Sequence, residues 1–181
     1  MKASRMGSWI ACLSILLTSC TGIPEGVEPV TGFEIDRYLG TWYEIARLDH
    51  PFERGLERVT AVYEPRDDGG IHVVNRGFDP KEKQWREALG KAYFVEDPTI
   101  GRLKVSFFGP FYGGYNIIDL DREGYAHALV CGPDRSYLWI LARTPSLDES
   151  VTARLVRTAR DLGFETDALL FVRHGSTRLQ P

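Results

Sequence analysis

The sequence is poor in the features that would announce a reaction or a nucleic-acid partner. No run of basic residues exceeds two and the formal net charge is −3, so there is no concentrated basic patch of the kind a phosphate backbone needs. The four histidines, His50, His72, His127 and His174, stand apart. Neither they nor the cysteines show an H-E-x-x-H or C-x-x-C spacing, which removes the common metal patterns, and no Ser-His-Asp arrangement can be placed. No metal and no cofactor are expected. Three cysteines are too few for a disulfide framework. What the chain does have is 43% apolar residues over 181 positions, enough for one domain with a sizeable core.

The first twenty residues read separately from the rest. Lys2 and Arg5 form a basic start, and Trp9 to Leu17 is an apolar stretch too short to span a bilayer as a helix. Leu17-Thr18-Ser19-Cys20 then resembles the lipobox of bacterial lipoproteins, in which cleavage falls before a cysteine whose thiol is lipidated. The organisation that follows is a signal peptide over 1–19, a lipidated Cys20 with a flexible tether to residue 32, a folded domain over 33–175 and a tail over 176–181. The tether reading rests on Gly22, Pro24, Gly26 and Pro29 with no hydrophobic period among them. Several acyl chains on one residue would anchor the chain firmly without spanning. Thr21, in place of an Asp, points by the same resemblance to the outer membrane, facing the periplasm. Cys12 leaves with the leader and Cys20 carries lipid, so Cys131 has no intramolecular partner and reads as a buried small hydrophobe.

Beyond the tether the chain is a series of short runs rich in β-branched and aromatic residues. Eight of them are strand candidates, at residues 41–48, 57–64, 71–78, 85–95, 102–108, 112–120, 125–131 and 137–143. Breaks such as Asp67-Asp68-Gly69-Gly70, Asp79-Pro80 and Gly109-Pro110 are too short for helical crossovers, so consecutive strands are antiparallel. Eight strands in an up-and-down meander can close into a barrel, which removes exposed edges and leaves room for side chains or one small ligand. After Arg143 the period changes: Leu147, Val151, Leu155, Ala159 and Leu162 form one stripe behind a Ser146–Glu149 capping box. The expected fold is therefore all-β, an eight-stranded antiparallel barrel with one α-helix, about 147–162, packed outside. A further edge strand is expected over 168–172.

Gly40-Thr41-Trp42-Tyr43 on the first strand, Leu120-Asp121-Arg122 at a late turn and Arg143 at the end of the eighth strand resemble the three spaced motifs of the lipocalins. The first has the G-x-W form, the second the T-D-x form with Leu120 in place of Thr, and the third is the lone basic residue. The similarity runs from about Phe33 to Val172. With the lipobox and runs such as Leu129-Val130-Cys131-Gly132-Pro133-Asp134-Arg135, it narrows to the bacterial outer-membrane lipocalins. The resemblance implies a calyx whose closed end is built by Gly40, Trp42, Asp121 and Arg143, with Arg143 over Trp42 in a cation–π contact. It also implies binding, storage or transport of a fatty acid or lysophospholipid in membrane maintenance, with no reaction. Two other readings compete: a structural or assembly lipoprotein acting through its surface, with Tyr112-Gly113-Gly114-Tyr115 as an interaction or homodimer contact, and a lipid-modifying enzyme.

Residues two apart on a strand share a face, so an inward Arg143 carries Leu141, Trp139 and Tyr137 inward with it. The same alternation points Val59, Ala61 and Tyr63 inward, and likewise Ile71, Val73 and Asn75. Leu103, Val105 and Phe107 form another inward set, while Tyr115 and Ile117 share a face with Asp119. Ala88, Gly90, Ala92 and Phe94 form an unusually small inward set, which leaves volume for a ligand. The expected cavity residues are Ala61, Tyr63, Val73, Asn75, Gly90, Ala92, Phe107, Tyr115, Tyr137 and Trp139. No cationic clamp is expected deep inside, and Phe52 and Arg54 of the first loop are candidates to meet a head group at the mouth.

Overall fold

In a computed structural model, which describes residues 21–175, every one of the eight alternating runs is a strand. They are β1 (Gly40–Arg47), β2 (Glu57–Pro65), β3 (Ile71–Asp79), β4 (Gln84–Phe94), β5 (Arg102–Phe108), β6 (Phe111–Leu120), β7 (His127–Cys131) and β8 (Leu138–Ala142). Each pairs antiparallel with the next, and β1 pairs with both β8 and β2, which closes the barrel. A ninth strand, β9 (Leu170–Phe171), pairs with Ala46 and Arg47 at the end of β1. A single turn of helix, α1 (Ile35–Tyr38), precedes β1, and α2 (Glu149–Asp161) follows β8. The loops β1–β2, β3–β4, β5–β6 and β7–β8 lie at one end, the open one. The signal peptide, Cys20 and the 176–181 tail lie outside the described residues.

Period-2 alternation produces two cores from one wall. Trp139 and Leu141 of β8 face the barrel interior with Trp42, Val73, Leu103 and Val130. Leu138, Ile140 and Ala142 face outward and pack with Leu129 and Cys131 against Leu155 and Ala159 of α2. Cys131 is fully buried there, and burial pushes its thiol up to about 12, which keeps it a protonated packing group. The helix starts later than the capping-box pattern suggests. Its N-cap is Asp148, whose carboxylate accepts from the Ser150 N–H at 2.8 Å, whereas Ser146 lies before the helix and Leu147 packs into the outer core. Gly163, at φ 82°, ends the helix as expected.

Of the four register shifts in the barrel, those on β1 and β6 change which face later residues take. On β1 the pairing with β8 shifts between Glu44 and Ala46, so Ile45 and Ala46 both enter the outer core. On β6 the shift lies between Ile117 and Asp119. Ile117 faces inward, but Asp119 does not share its face: it pairs outside with Arg154 of α2 at 2.7 Å. The extra residue resets which side each later residue occupies.

Residues 21–32 are not a free tether. Val27 is buried in the outer core. The Val30 N–H donates to the Ile117 carbonyl and the Gly101 N–H to the Val30 carbonyl, both at 2.8 Å, and Thr31 bridges to Ile100. A Cβ on Gly101 would lie 2.7 Å from the Val30 side chain, so glycine there lets the segment lie flat on the barrel. Near the open end, Asn116 Nδ2 donates to the Gly22 carbonyl at 3.1 Å and Arg135 Nη2 to the Glu25 carbonyl at 2.7 Å. The segment is a strap that descends the outer wall from the open end to the closed one.

Candidate functional site

The floor of the barrel is built around Trp42, which is wholly buried and donates its indole N–H to the Tyr38 carbonyl at 2.7 Å. Arg143 lies with its guanidinium carbon 4.0 Å from the Trp42 ring centroid. Its three nitrogens donate to the carbonyls of Thr41 at 2.9 Å, Arg37 at 2.7 Å and Tyr125 at 3.3 Å. Gly40, at φ 92°, brings the chain past this guanidinium. Asp121 holds the β6–β7 turn by accepting from the N–H groups of Ala126 and Glu123. Burial disfavours its charge, yet these backbone donors outweigh burial and hold its carboxyl below the usual range. All four residues assigned to the closed end meet there.

Above the floor lies an apolar cavity of about 110 Å³. Ala61 and Tyr63 of β2, Val73 and Asn75 of β3, Ala92 of β4, Phe107 of β5, Tyr115 of β6 and Trp139 of β8 all line it. Gly90 does not. A Cβ there would lie 2.8 Å from the Phe107 ring, so the space opened by the small β4 residues is taken up by that phenyl group. Tyr137 does not line it either; it stacks on Trp139 with ring centroids 6.1 Å apart and touches His50 above the cavity. Three hydroxyls converge near the floor, with Tyr115 Oη 2.8 Å from both Tyr38 Oη and Tyr63 Oη. Burial holds all three phenols above their ordinary range. The Asn75 Oδ1 is buried with no hydrogen-bond partner.

Toward the mouth the wall is charged, a feature absent from the expected lining. Glu44 and Glu53 line the cavity. Arg47 Nη1 donates to Glu44 Oε1 at 2.5 Å, and its Nη2 donates to the Glu53 carbonyl at 2.8 Å. His50 Nε2 stands 3.0 Å from Glu53 Oε2, close enough for an ion pair but misaligned for a hydrogen bond. Trp139 donates its indole N–H to the same Glu53 oxygen at 3.2 Å. Burial, then the neighbouring Glu53 charge, pushes the Glu44 carboxyl well above its ordinary range against the pull of Arg47. Burial also disfavours a charged Glu53, but His50 first, then Glu44 and Trp139, hold its carboxyl below the usual range. The two carboxyls are thus pushed in opposite directions, Glu44 upward and Glu53 downward. This arrangement fixes the β1–β2 loop over the mouth.

Glu44 stands two residues after Trp42, so its inward direction was available from the sequence. Arg47 faces in only because of the Ile45 bulge. Neither Phe52 nor Arg54 enters the cavity: Phe52 is 70% exposed and Arg54 is paired with Asp49 at 2.8 Å on the surface. No Lys or Arg is among the residues lining the cavity.

The lipocalin-like domain model matches residues 33–174. The outer membrane lipoprotein Blc of Vibrio cholerae is 53% identical over 160 residues, covering 88% of this chain and 94% of that protein. The protein of the same name from Escherichia coli K12 is 54% identical over 165 residues, covering 90% and 93%. Among solved structures, insecticyanin from the tobacco hornworm Manduca sexta superposes with a TM-score of 0.69 at 20% identity, covering 86% of this chain and 88% of that one; that likeness concerns the fold.

Proposed function

The chain belongs to the lipocalin family and is a binding protein for a hydrophobic ligand, not an enzyme; on that premise we propose that it is a lipid-anchored carrier of a fatty acid or lysophospholipid. The observation that carries this reading is the segregation inside the barrel: apolar walls, hydroxyls at the floor, carboxyls at the mouth and no lining cation. A single acyl chain fits such walls, because burying its methylenes contributes about 0.8 kcal/mol each. The carboxylate of a fatty acid finds no positive partner among the lining residues, so its head group belongs at the mouth, where Arg47 and His50 stand beside the two carboxyls. The cavity is smaller than the roughly 300–1,000 Å³ typical of a ligand site. Entry of a chain therefore moves side chains, and Phe107 and Trp139 stand where they would have to move.

The anchor is Cys20, exposed by cleavage after residue 19, and the site of action is the outer membrane facing the periplasm. The lipobox and the names of the two bacterial relatives support both. Maintenance of that membrane, by storing or transferring stray single-chain lipids, is the role that fits. The test is mass spectrometry of organic extracts from the purified protein, with displacement of a fluorescent fatty acid by acyl chains of graded length. Retention and displacement of a single-chain lipid are expected; no binding at any chain length would overturn the reading.

A further inference from the structure

We propose that the open rim of the barrel docks onto the same phospholipid leaflet that holds the lipid of Cys20, so that the mouth of the cavity faces the membrane surface. The inference rests on the reading of Cys20 as lipidated. It then follows from where the strap begins. The Gly22 carbonyl is held by Asn116, and a Cβ on Gly22 would lie 3.6 Å from the carbonyl of Pro133, in the β7–β8 turn at the open end. At about 3.3–3.6 Å per extended residue, Cys20 is covalently limited to about 7 Å from Gly22. The acyl chains therefore leave the molecule beside the open end, and the strap hydrogen-bonded along the wall denies them a long free tether.

The two ends of the barrel differ in a way that matches this placement. The open-end loops carry Phe52, Phe108 and Phe111, each 70% exposed or more. Phe108 and Phe111 flank the β5–β6 turn, on the hairpin next to the strap's starting point. Among the described residues, none of the large exposed hydrophobics lies on a closed-end turn. Those turns instead carry exposed Asp67, Asp68, Glu96, Asp97 and Glu123 against one exposed cation, Arg122, an excess that an anionic leaflet repels. The open-end β3–β4 turn presents Lys81 and Lys83 around Glu82. Exposed Phe side chains flanked by Lys are the combination that enters the boundary between headgroups and acyl chains, so one rim combines the anchor, the phenyl groups and the lysines. In this orientation a single-chain lipid passes between leaflet and cavity without crossing water.

The test uses the full, lipidated protein in vesicles of phosphatidylethanolamine and phosphatidylglycerol. An environment-sensitive fluorophore is attached through Phe111→Cys in one preparation and Asp67→Cys in another, since Cys131 is buried. Docking predicts a blue-shifted, iodide-protected label at position 111, quenched several-fold more by lipid-borne quenchers than the label at 67. Equal exposure of both labels on protein that still floats with the vesicles would overturn the docking and leave the anchor standing. Protection at 111 that disappears on dilution of protein in lipid would assign the rim to a second copy of the chain and also overturn it. An intact mass without acyl groups, with protein absent from the vesicle fraction, would remove the anchor reading and the docking together.

Discussion

The two ends of the barrel handle buried polarity in opposite ways. At the floor, each nitrogen of Arg143 reaches a backbone carbonyl and the Trp42 indole is satisfied by Tyr38. At the mouth, Glu44, Arg47, His50 and Glu53 are all buried, yet the Nε of Arg47 and the Nδ1 of His50 have no hydrogen-bond partner. Polar groups left unpaired out of water are costly. The floor has no reason to rearrange, whereas the mouth is where a ligand or water can improve the local balance. Rigidity at one end and incomplete satisfaction at the other suit a container that opens from one side only.

Replacing Trp42 with alanine attacks the floor directly. A fully buried indole lost from a packed core is expected to cost about 3–5 kcal/mol, read as a lower denaturant midpoint, with ligand retention falling as a consequence. At the mouth, Glu44→Gln sharpens the contrast through pH. A carboxyl whose pKa is raised on folding contributes stability that is present at low pH and lost as pH climbs through the raised value. The native protein should therefore lose stability on the alkaline side of the ordinary carboxylate range, and the variant should show a flatter profile there. The acid-side loss caused by the depressed Glu53 should survive in the variant; chemical denaturation across a pH series measures both. At the rim, Phe111→Ser is expected to change stability by no more than about 0.5 kcal/mol. Thermal melts should superpose on the native curve, in contrast to the floor variant.

Much of this molecule is legible from alternation. Once Trp42 and Arg143 fix the inward face, β2, β3, β5 and β8 follow with a period of two; the register shifts on β2 at Glu57/Thr60 and on β5 at Val105/Phe108 lie toward the open end and leave Ala61, Tyr63, Leu103 and Val105 facing in. The errors cluster where that period fails. The bulge at Ile118 turned Asp119, expected to face inward, out to Arg154; the bulge at Ile45 brings Arg47, to which no face was assigned, in toward Glu44. Gly90 misled for a different reason. A missing side chain was read as open space, but its volume was available to Phe107 from the neighbouring strand, and no single-strand pattern records what a cross-strand neighbour does with a gap. The 21–32 segment looked like a linker because Pro and Gly obscure any period. It is ordered by individual backbone hydrogen bonds to Ile117 and Gly101 and by a few apolar contacts such as Val27. The same holds for the Asp148 cap: Ser146 and Asp148 both have capping chemistry, and only the backbone geometry chooses between them.

The pairing of β1 with β9 also bears on when this protein can become whole. The seam is finished by residues near the end of the described chain: Leu170 and Phe171 pair with Arg47 and Ala46, and His174 reaches the Glu44 carbonyl from 130 positions away. A chain exported amino end first presents β1 early and must wait for both β8 and this last segment before its edges are covered. Until then β1 is an unpaired strand edge in transit, the state in which such chains associate wrongly. With the proposed anchor at Cys20, that vulnerable interval is spent at the membrane, with a fixed starting point for the barrel to close upon.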